Sequence, residues 1–275
     1  CALPIFKISS DGNLGLEEGQ KFERGGIYRF TVDVTKGNTK AVLTVEKVGK
    51  VDLPAPDIFF GNDKMEVTDT DIYKSDQAFT QGQMITVTGI DNLNEWWIDP
   101  DFFEKQSDGA LKFLPINGDY RVTANAVLKY FSVMALKDGK PAKLQDDGTG
   151  AIWAIGKGIG KPSVTSSEVG WEPSKALCLA QVASKKYQLT LKAGETLKTS
   201  GDPEVISFKF FHQNDWGGEF GNYASSILVE QLKLADSGNL EMQDNKAFEE
   251  GAVYRFTIDV TNGNANADLK VEKIN

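Results

Sequence analysis

The sequence predicts an all-β protein built as tandem antiparallel β-sandwich domains of the immunoglobulin-like kind. Three observations carry that expectation: a long internal repeat, apolar residues alternating at period two, and turn-forming residues at short intervals. No stretch shows the 3.6-residue apolar period of an amphipathic helix.

The repeat comes first because it organises the rest. Residues 6–48 align without a gap to 232–274 at a constant offset of 226, with 21 identities in 43 positions. Its centre is Tyr28-Arg29-Phe30-Thr31 through Asp33-Val34-Thr35 against Tyr254-Arg255-Phe256-Thr257 through Asp259-Val260-Thr261. Tyr254, Phe256, Ile258 and Val260 alternate with Arg255, Thr257, Asp259 and Thr261, so the first set is expected in the core and the second in solvent. Asn262-Gly263-Asn264 tolerates the positive φ of a tight turn, and 267–274 returns as the last strand.

The two copies differ in what precedes them. The second follows a strand-rich stretch, Ala151 to Ser226, that reads as the front of its own domain. Residues 1–50 therefore read as the C-terminal half of such a domain. Its front half is expected either outside this sequence or replaced by other strands, because a few edge strands rarely fold alone. Val51-Asp-Leu-Pro54-Ala-Pro56 predicts a stiff linker over 51–62. A middle sandwich is expected over 63–148, with strands at 83–89, 111–115, 119–126 and 128–136 separated by Asp-Gly and Asn-Gly turns. Asp146-Asp-Gly148 marks the next boundary. The last domain, 149–275, is expected to hold strands at 151–156, 176–183, 186–193, 205–213, 227–235, 253–261 and 267–274.

Bulk properties narrow the partners. The net charge is −9 and the pI about 4.8. That balance argues against nucleic acid, which needs clustered Lys and Arg, and against electrostatic docking on anionic lipid. No apolar run reaches the eighteen residues of a membrane-spanning helix. Of the two cysteines, Cys178 reads as a small core residue within Ala176-Leu-Cys-Leu-Ala180. Cys1 reads either as the lipid-bearing first residue of a bacterial lipoprotein or simply as the first residue given.

Catalytic constellations are sparse. His212 is the single histidine and lies in a strand-like run, and no G-x-S-x-G elbow exists. Asp146-Asp147-Gly148 lacks the spacing of a cation loop. Gly156-Lys-Gly158-Ile-Gly160-Lys161 fails the spacing of phosphate loops and reads as a flexible loop with two exposed lysines. Asp99-Pro-Asp101 beside Trp96-Trp97 is a conceivable glycosidase pair, although domains this small leave little room for a deep cleft. Of Trp96 and Trp97, one ring is expected in the core and one exposed; Trp153 is expected in the core. No cofactor, metal site or enzymatic activity is expected.

Two other tryptophans point elsewhere. Trp171 follows Glu168-Val-Gly170, and Trp216 sits in Gln213-Asn214-Asp215-Trp216-Gly217-Gly218. Glycine and polar residues flank both, which suggests loop aromatics. An exposed ring wastes apolar area unless something packs on it. The apolar C–H faces of sugars stack on such rings while amides and lysines bond the hydroxyls; the alternative is that the rings cap the ends of the fold.

The ordered set Trp153-Ala-Ile-Gly156, Gly170-Trp171, Phe208-Lys209-Phe210-Phe211 with Trp216 and Gly221, and Tyr254-Arg255-Phe256-Thr257-Ile258-Asp259-Val260 resembles the repeated domain of the SusE/SusF-like outer-membrane lipoproteins. The resemblance covers about 151–275, and residues 1–50 resemble its tail; the middle domain does not match. It implies tandem sandwich modules, lipid-anchored at the Gram-negative cell surface, that bind a glycan without cleaving it and work beside an outer-membrane transporter. By position it points to Trp171 and Trp216 as ligand-binding rings, with Lys157, Lys161, Gln213 and Asn214 as hydroxyl partners. A structural or adaptor module holding a partner outer-membrane protein is the second expectation.

Overall fold

The computed structural model describes residues 6–8, 14–16, 22–23, 25–51, 54–199 and 205–275, the first two stretches as backbone only. Cys1 lies outside the described residues. Strand accounts for 47% of the chain and helix for 6%, so the all-β expectation holds. Among the described strands one ladder is parallel, Ser225–Ile227 against Asp268–Lys273; the others are antiparallel. Among the described residues the one α-helical turn, Val164–Ser167, is capped by the Ser163 side chain.

The chain divides into two compact units, Cys1–Pro56 and Asp57–Asn275. In the first, Phe6–Ile8 pairs with Leu14–Leu16, and Gly26–Asp33 pairs with Val42–Lys50. The expected linker over 51–62 is shorter than the sequence suggested. Phe59–Phe60 already forms a strand between Asp63–Lys64 and Val87–Thr88, and Ile58 and Phe60 are buried. The prolines stiffen only as far as Pro56; the apolar run behind them belongs to the core.

The region behind that linker is organised by a five-stranded sheet, in order Lys140–Pro141, Tyr130–Lys137, Gly118–Asn125, Ile72–Phe79, Glu66–Asp69. A small sheet of Phe103–Lys105, Leu111–Phe113 and Met84–Ile85 accompanies it. Phe60, Phe79, Phe103, Phe113 and Phe131 meet ring to ring in its core, each burial contributing about 1.5–3 kcal/mol. The strand Ile72–Phe79 was not expected. Its mixed run Ile-Tyr-Lys-Ser-Asp-Gln-Ala-Phe hides the alternation that puts Tyr73, Ser75 and Phe79 inside. Trp96 is core, stacked on Phe131 at 4.5 Å, whereas Trp97 is half-buried.

The C-terminal region holds two sheets. One runs Glu168–Gly170, Trp153–Gly160, Ser207–Phe211, Leu240–Met242, Leu232–Leu234. The other runs Ala180–Ala183, Lys186–Lys192, Val253–Asp259, Asp268–Lys273, Ser225–Ile227. Their shared core is aromatic: Phe208 and Phe210 of the first lie 5.5 and 6.4 Å from Phe256 of the second. Trp153, Tyr254, Phe256 and Cys178 are buried as the sequence implied. The expected strand 176–183 is two strands. Leu177–Cys178 pairs in the first sheet and Ala180–Ala183 in the second, so the chain crosses between sheets at Leu179.

The stretch Gly156-Lys-Gly158-Ile-Gly160 is not a flexible loop. It lies within the strand Trp153–Gly160, and its glycines are buried. A Cβ at Gly156 would sit 2.3 Å from the Phe208 Cα, so glycine lets the neighbouring strand approach.

Candidate functional site

Trp171 and Trp216 come from opposite sides of the strand Trp153–Gly160. Glu168–Gly170 pairs with one edge of that strand and Ser207–Phe211 with the other. Gly170, at φ 59°, turns the chain out of its edge strand and presents Trp171. Beyond Phe211 the chain loops and closes again through the His212 N–H to the Gly218 carbonyl at 2.7 Å. Inside that loop the Gln213 Nε2 donates to the Trp216 carbonyl at 2.6 Å, and the Trp216 N–H donates to Asp215 Oδ1 at 2.8 Å. The Trp216 ring rests edge-on against buried Phe211, 6.0 Å away.

The two indoles meet. Their centroids lie 6.3 Å apart with planes 26° from parallel. Trp216 is 50% exposed, and Trp171 is half-buried with part of its ring against the core. Alongside Trp171 runs an open groove of about 780 Å³ lined by Lys157, Glu168, Trp171, Glu172, Lys175 and Lys198. Lys157 is exposed there.

Glu168 and Lys198 escaped sequence reasoning because nothing in their spacing links them. The Lys198 Nζ reaches both Glu168 oxygens, at 2.8 and 2.9 Å, and the Gly158 N–H donates to the same carboxylate at 2.8 Å. Burial alone would raise the Glu168 pKa, but the Lys198 ammonium and the Gly158 N–H outweigh it and hold it below the ordinary value. The groove wall thus carries fixed charge and hydrogen-bonding groups beside an apolar ring face.

Three expected hydroxyl partners stand differently from Lys157. Lys161 is buried, and its Nζ bonds Asp99 Oδ1 and Oδ2 at 2.8 Å each and Asp101 Oδ2 at 2.9 Å. It is therefore not a sugar ligand; a charge this deep is retained only when paired. The Gln213 amide nitrogen is spent holding the Trp216 loop. Asn214 is half-buried, and its Oδ1 is enclosed without a hydrogen-bond partner, so it faces protein and not solvent.

The same cluster overturns the imagined carboxylate pair. Asp101 accepts from the Thr190 N–H and hydroxyl at 2.6 Å each and from Gln188 Nε2 at 2.8 Å. Both carboxylates are buried and face one lysine instead of an open cleft. Burial opposes ionisation of Asp101, yet Lys161, Thr190 and Gln188 more than compensate and depress its pKa. Asp99, with fewer donors and Asp101 beside it, is pushed up mainly by burial. This cluster joins the middle strands to the last ones, as do the Trp97 indole N–H to Glu195 at 2.5 Å and the Leu144 N–H to the His212 carbonyl at 2.8 Å. Burial lowers the His212 pKa below its ordinary value, and the ring lies against Phe220 at 4.3 Å. Among the described residues no group of three or more His, Cys, Asp or Glu could hold a metal ion, and no helix is long and apolar enough to cross a membrane.

The family described as a domain of unknown function (DUF5121) matches residues 2–35 and 147–261, more than half of the chain. The chain belongs to the DUF5121 family. A second domain of unknown function (DUF5125) matches residues 51–144, the region of the five-stranded sheet. No curated protein matches the chain. The DUF5121 match respects the repeat: its first stretch ends at Thr35 and its second at Thr261, equivalent positions at the offset of 226. Both tryptophans and Lys157 fall inside the longer DUF5121 stretch.

Proposed function

We propose that this DUF5121 protein is a non-catalytic carbohydrate-binding protein that holds a polysaccharide or oligosaccharide on the Trp171–Trp216 platform. The observation that carries the reading is the meeting of the two indoles from separate loops, with one ring half exposed, beside a groove of charged and polar groups. Near-parallel aromatic faces suit the flat C–H faces of sugar rings, while Lys157, and Glu168 with Lys198, lie where hydroxyls would be bonded. A ligand without net charge also suits a protein of net charge −9. On this reading the two bodies of strands in residues 57–275 are immunoglobulin-like sandwiches, and the protein works at the Gram-negative outer-membrane surface in a glycan-uptake system of the SusE/SusF-like kind.

Tryptophan emission during titration with a panel of neutral oligosaccharides tests this. Binding over the platform shifts the emission to shorter wavelength in the wild type and not in Trp216→Ala. A shift equally large in Trp216→Ala would place the sugar elsewhere.

A further inference from the structure

The described strands of the two copies pair in matching registers and differ in exposure. Phe6–Ile8 pairs with Leu14–Leu16 in the register in which Leu232–Leu234 pairs with Leu240–Met242. The hairpin Gly26–Asp33/Val42–Lys50 matches Val253–Asp259/Asp268–Lys273, including the Phe30↔Val45 and Phe256↔Val271 pairs. Even the ion pairs recur, Glu23 with Lys47 and Glu249 with Lys273. In the C-terminal copy, Ile258 and Val260 are fully buried. Their counterparts Val32 and Val34 are 60% and 51% exposed, and Phe30, which meets Phe22 edge-on, is 47% exposed where Phe256 is at 0%.

What covers the C-terminal copy is explicit. The strand Lys186–Lys192 pairs along Val253–Asp259, Ser207–Phe211 pairs with Leu240–Met242, and Phe208 and Phe210 pack on Phe256. Among the described residues, no strand pairs with the outer edge of either N-terminal hairpin. A face of apolar β-branched residues on an open edge invites strand addition.

We propose that the N-terminal unit is a docking element whose occupant is the front half of a DUF5121 domain, a polypeptide equivalent to residues 149–227. That occupant supplies an edge strand like Lys186–Lys192 against Gly26–Asp33 and a Phe-x-Phe strand like Ser207–Phe211 over Phe30 and Val32. The repeat itself identifies it, because in the second copy Lys186–Lys192 pairs along the equivalent strand and Phe208 and Phe210 pack on Phe256, the counterpart of Phe30. The inference stands independently of the glycan reading.

The test joins a second copy of residues 149–227 through a flexible linker ahead of the full chain. Amide exchange is then read by mass spectrometry on peptides from 26–50. Exchange there slows at least tenfold relative to the unextended chain, and Val32→Asp in the extended chain restores the fast rate. As a second reading, Thr31→Cys and Gln188→Cys in the added segment form a disulfide, since their counterparts Thr257 and Gln188 are paired in the C-terminal domain. Unchanged exchange across 26–50 together with no disulfide overturns the proposal and leaves the exposed face to an unrelated partner protein.

Discussion

Trp216 leaves half of its surface in solvent, at the tip of a loop that Gln213 and Asp215 hold in place. The buried half of the ring packs on Phe211 and towards Trp171, so Trp216→Ala is expected to cost about 0.5–1.5 kcal/mol, read from the urea midpoint. Lys161 is the opposite case. Its replacement by Met leaves Asp99 and Asp101 buried without their cation and is expected to cost about 3–5 kcal/mol, read in the same assay. The cluster also sets a pH response. The folded pKa of Asp101 lies below its ordinary value of 3.8, so its contribution is complete above about pH 4 and is lost as pH falls through the folded value. Asp99 is raised, so its contribution has the opposite sign and fades as pH rises past 3.8. Asp101→Asn therefore removes stability at neutral pH and flattens the acid limb of a stability–pH curve. Cys178, whose thiol burial pushes up to about 12, is expected to resist iodoacetamide at pH 8 in the folded protein and to react once urea unfolds it. The sequence made Trp171 and Trp216 legible through their glycine-rich, polar flanks. It misplaced Lys161 because a lysine after a glycine run looks like a loop residue, and its partners stand 62 and 60 positions away.

At the scale of elements, alternation read the hairpins correctly and failed where strands are interrupted or mixed. The closing hairpin of the repeat shows a clean period-two pattern, and its strands Val253–Asp259 and Asp268–Lys273 were placed within a residue or two, whereas the expected strand 227–235 is only Leu232–Leu234 and Leu240–Met242 was not expected. The central strand Ile72–Phe79 carries Lys74 and Asp76 on its outer face and a buried Ser75 whose hydroxyl accepts from Gln77, so no apolar rhythm survives. Glycine misled in the other direction. In Trp153–Gly160 it serves close strand approach, not looseness. The hairpins give a direct test, because the same repeat position sits in two environments. Ile258→Thr buries a hydroxyl in a closed core and is expected to destabilise by about 1–3 kcal/mol, whereas Val32→Thr on the exposed hairpin costs about 0.5 kcal/mol or less. Thermal unfolding of the two variants checks this, and equal losses would mean the N-terminal hairpin face is covered.

At the scale of the whole molecule, the repeat predicts two related segments around a different middle region; the DUF5121 family matches 2–35 and 147–261, and DUF5125 matches 51–144. The seam between middle and last strands was invisible beforehand, since it depends on Asp99, Asp101, Lys161 and Trp97 meeting across long stretches of chain. Residues 57–275, which carry both the seam and the two tryptophans, form one compact unit. The measurement that bears most directly on the central claim is affinity electrophoresis through native gels containing a panel of neutral polysaccharides, with wild type, Trp171→Ala and Trp216→Ala side by side. The account predicts that at least one polysaccharide retards the wild type and that each variant loses at least tenfold in affinity, about 1.4 kcal/mol. Migration of the wild type unretarded across the whole panel, or retardation undiminished in both variants, would contradict it.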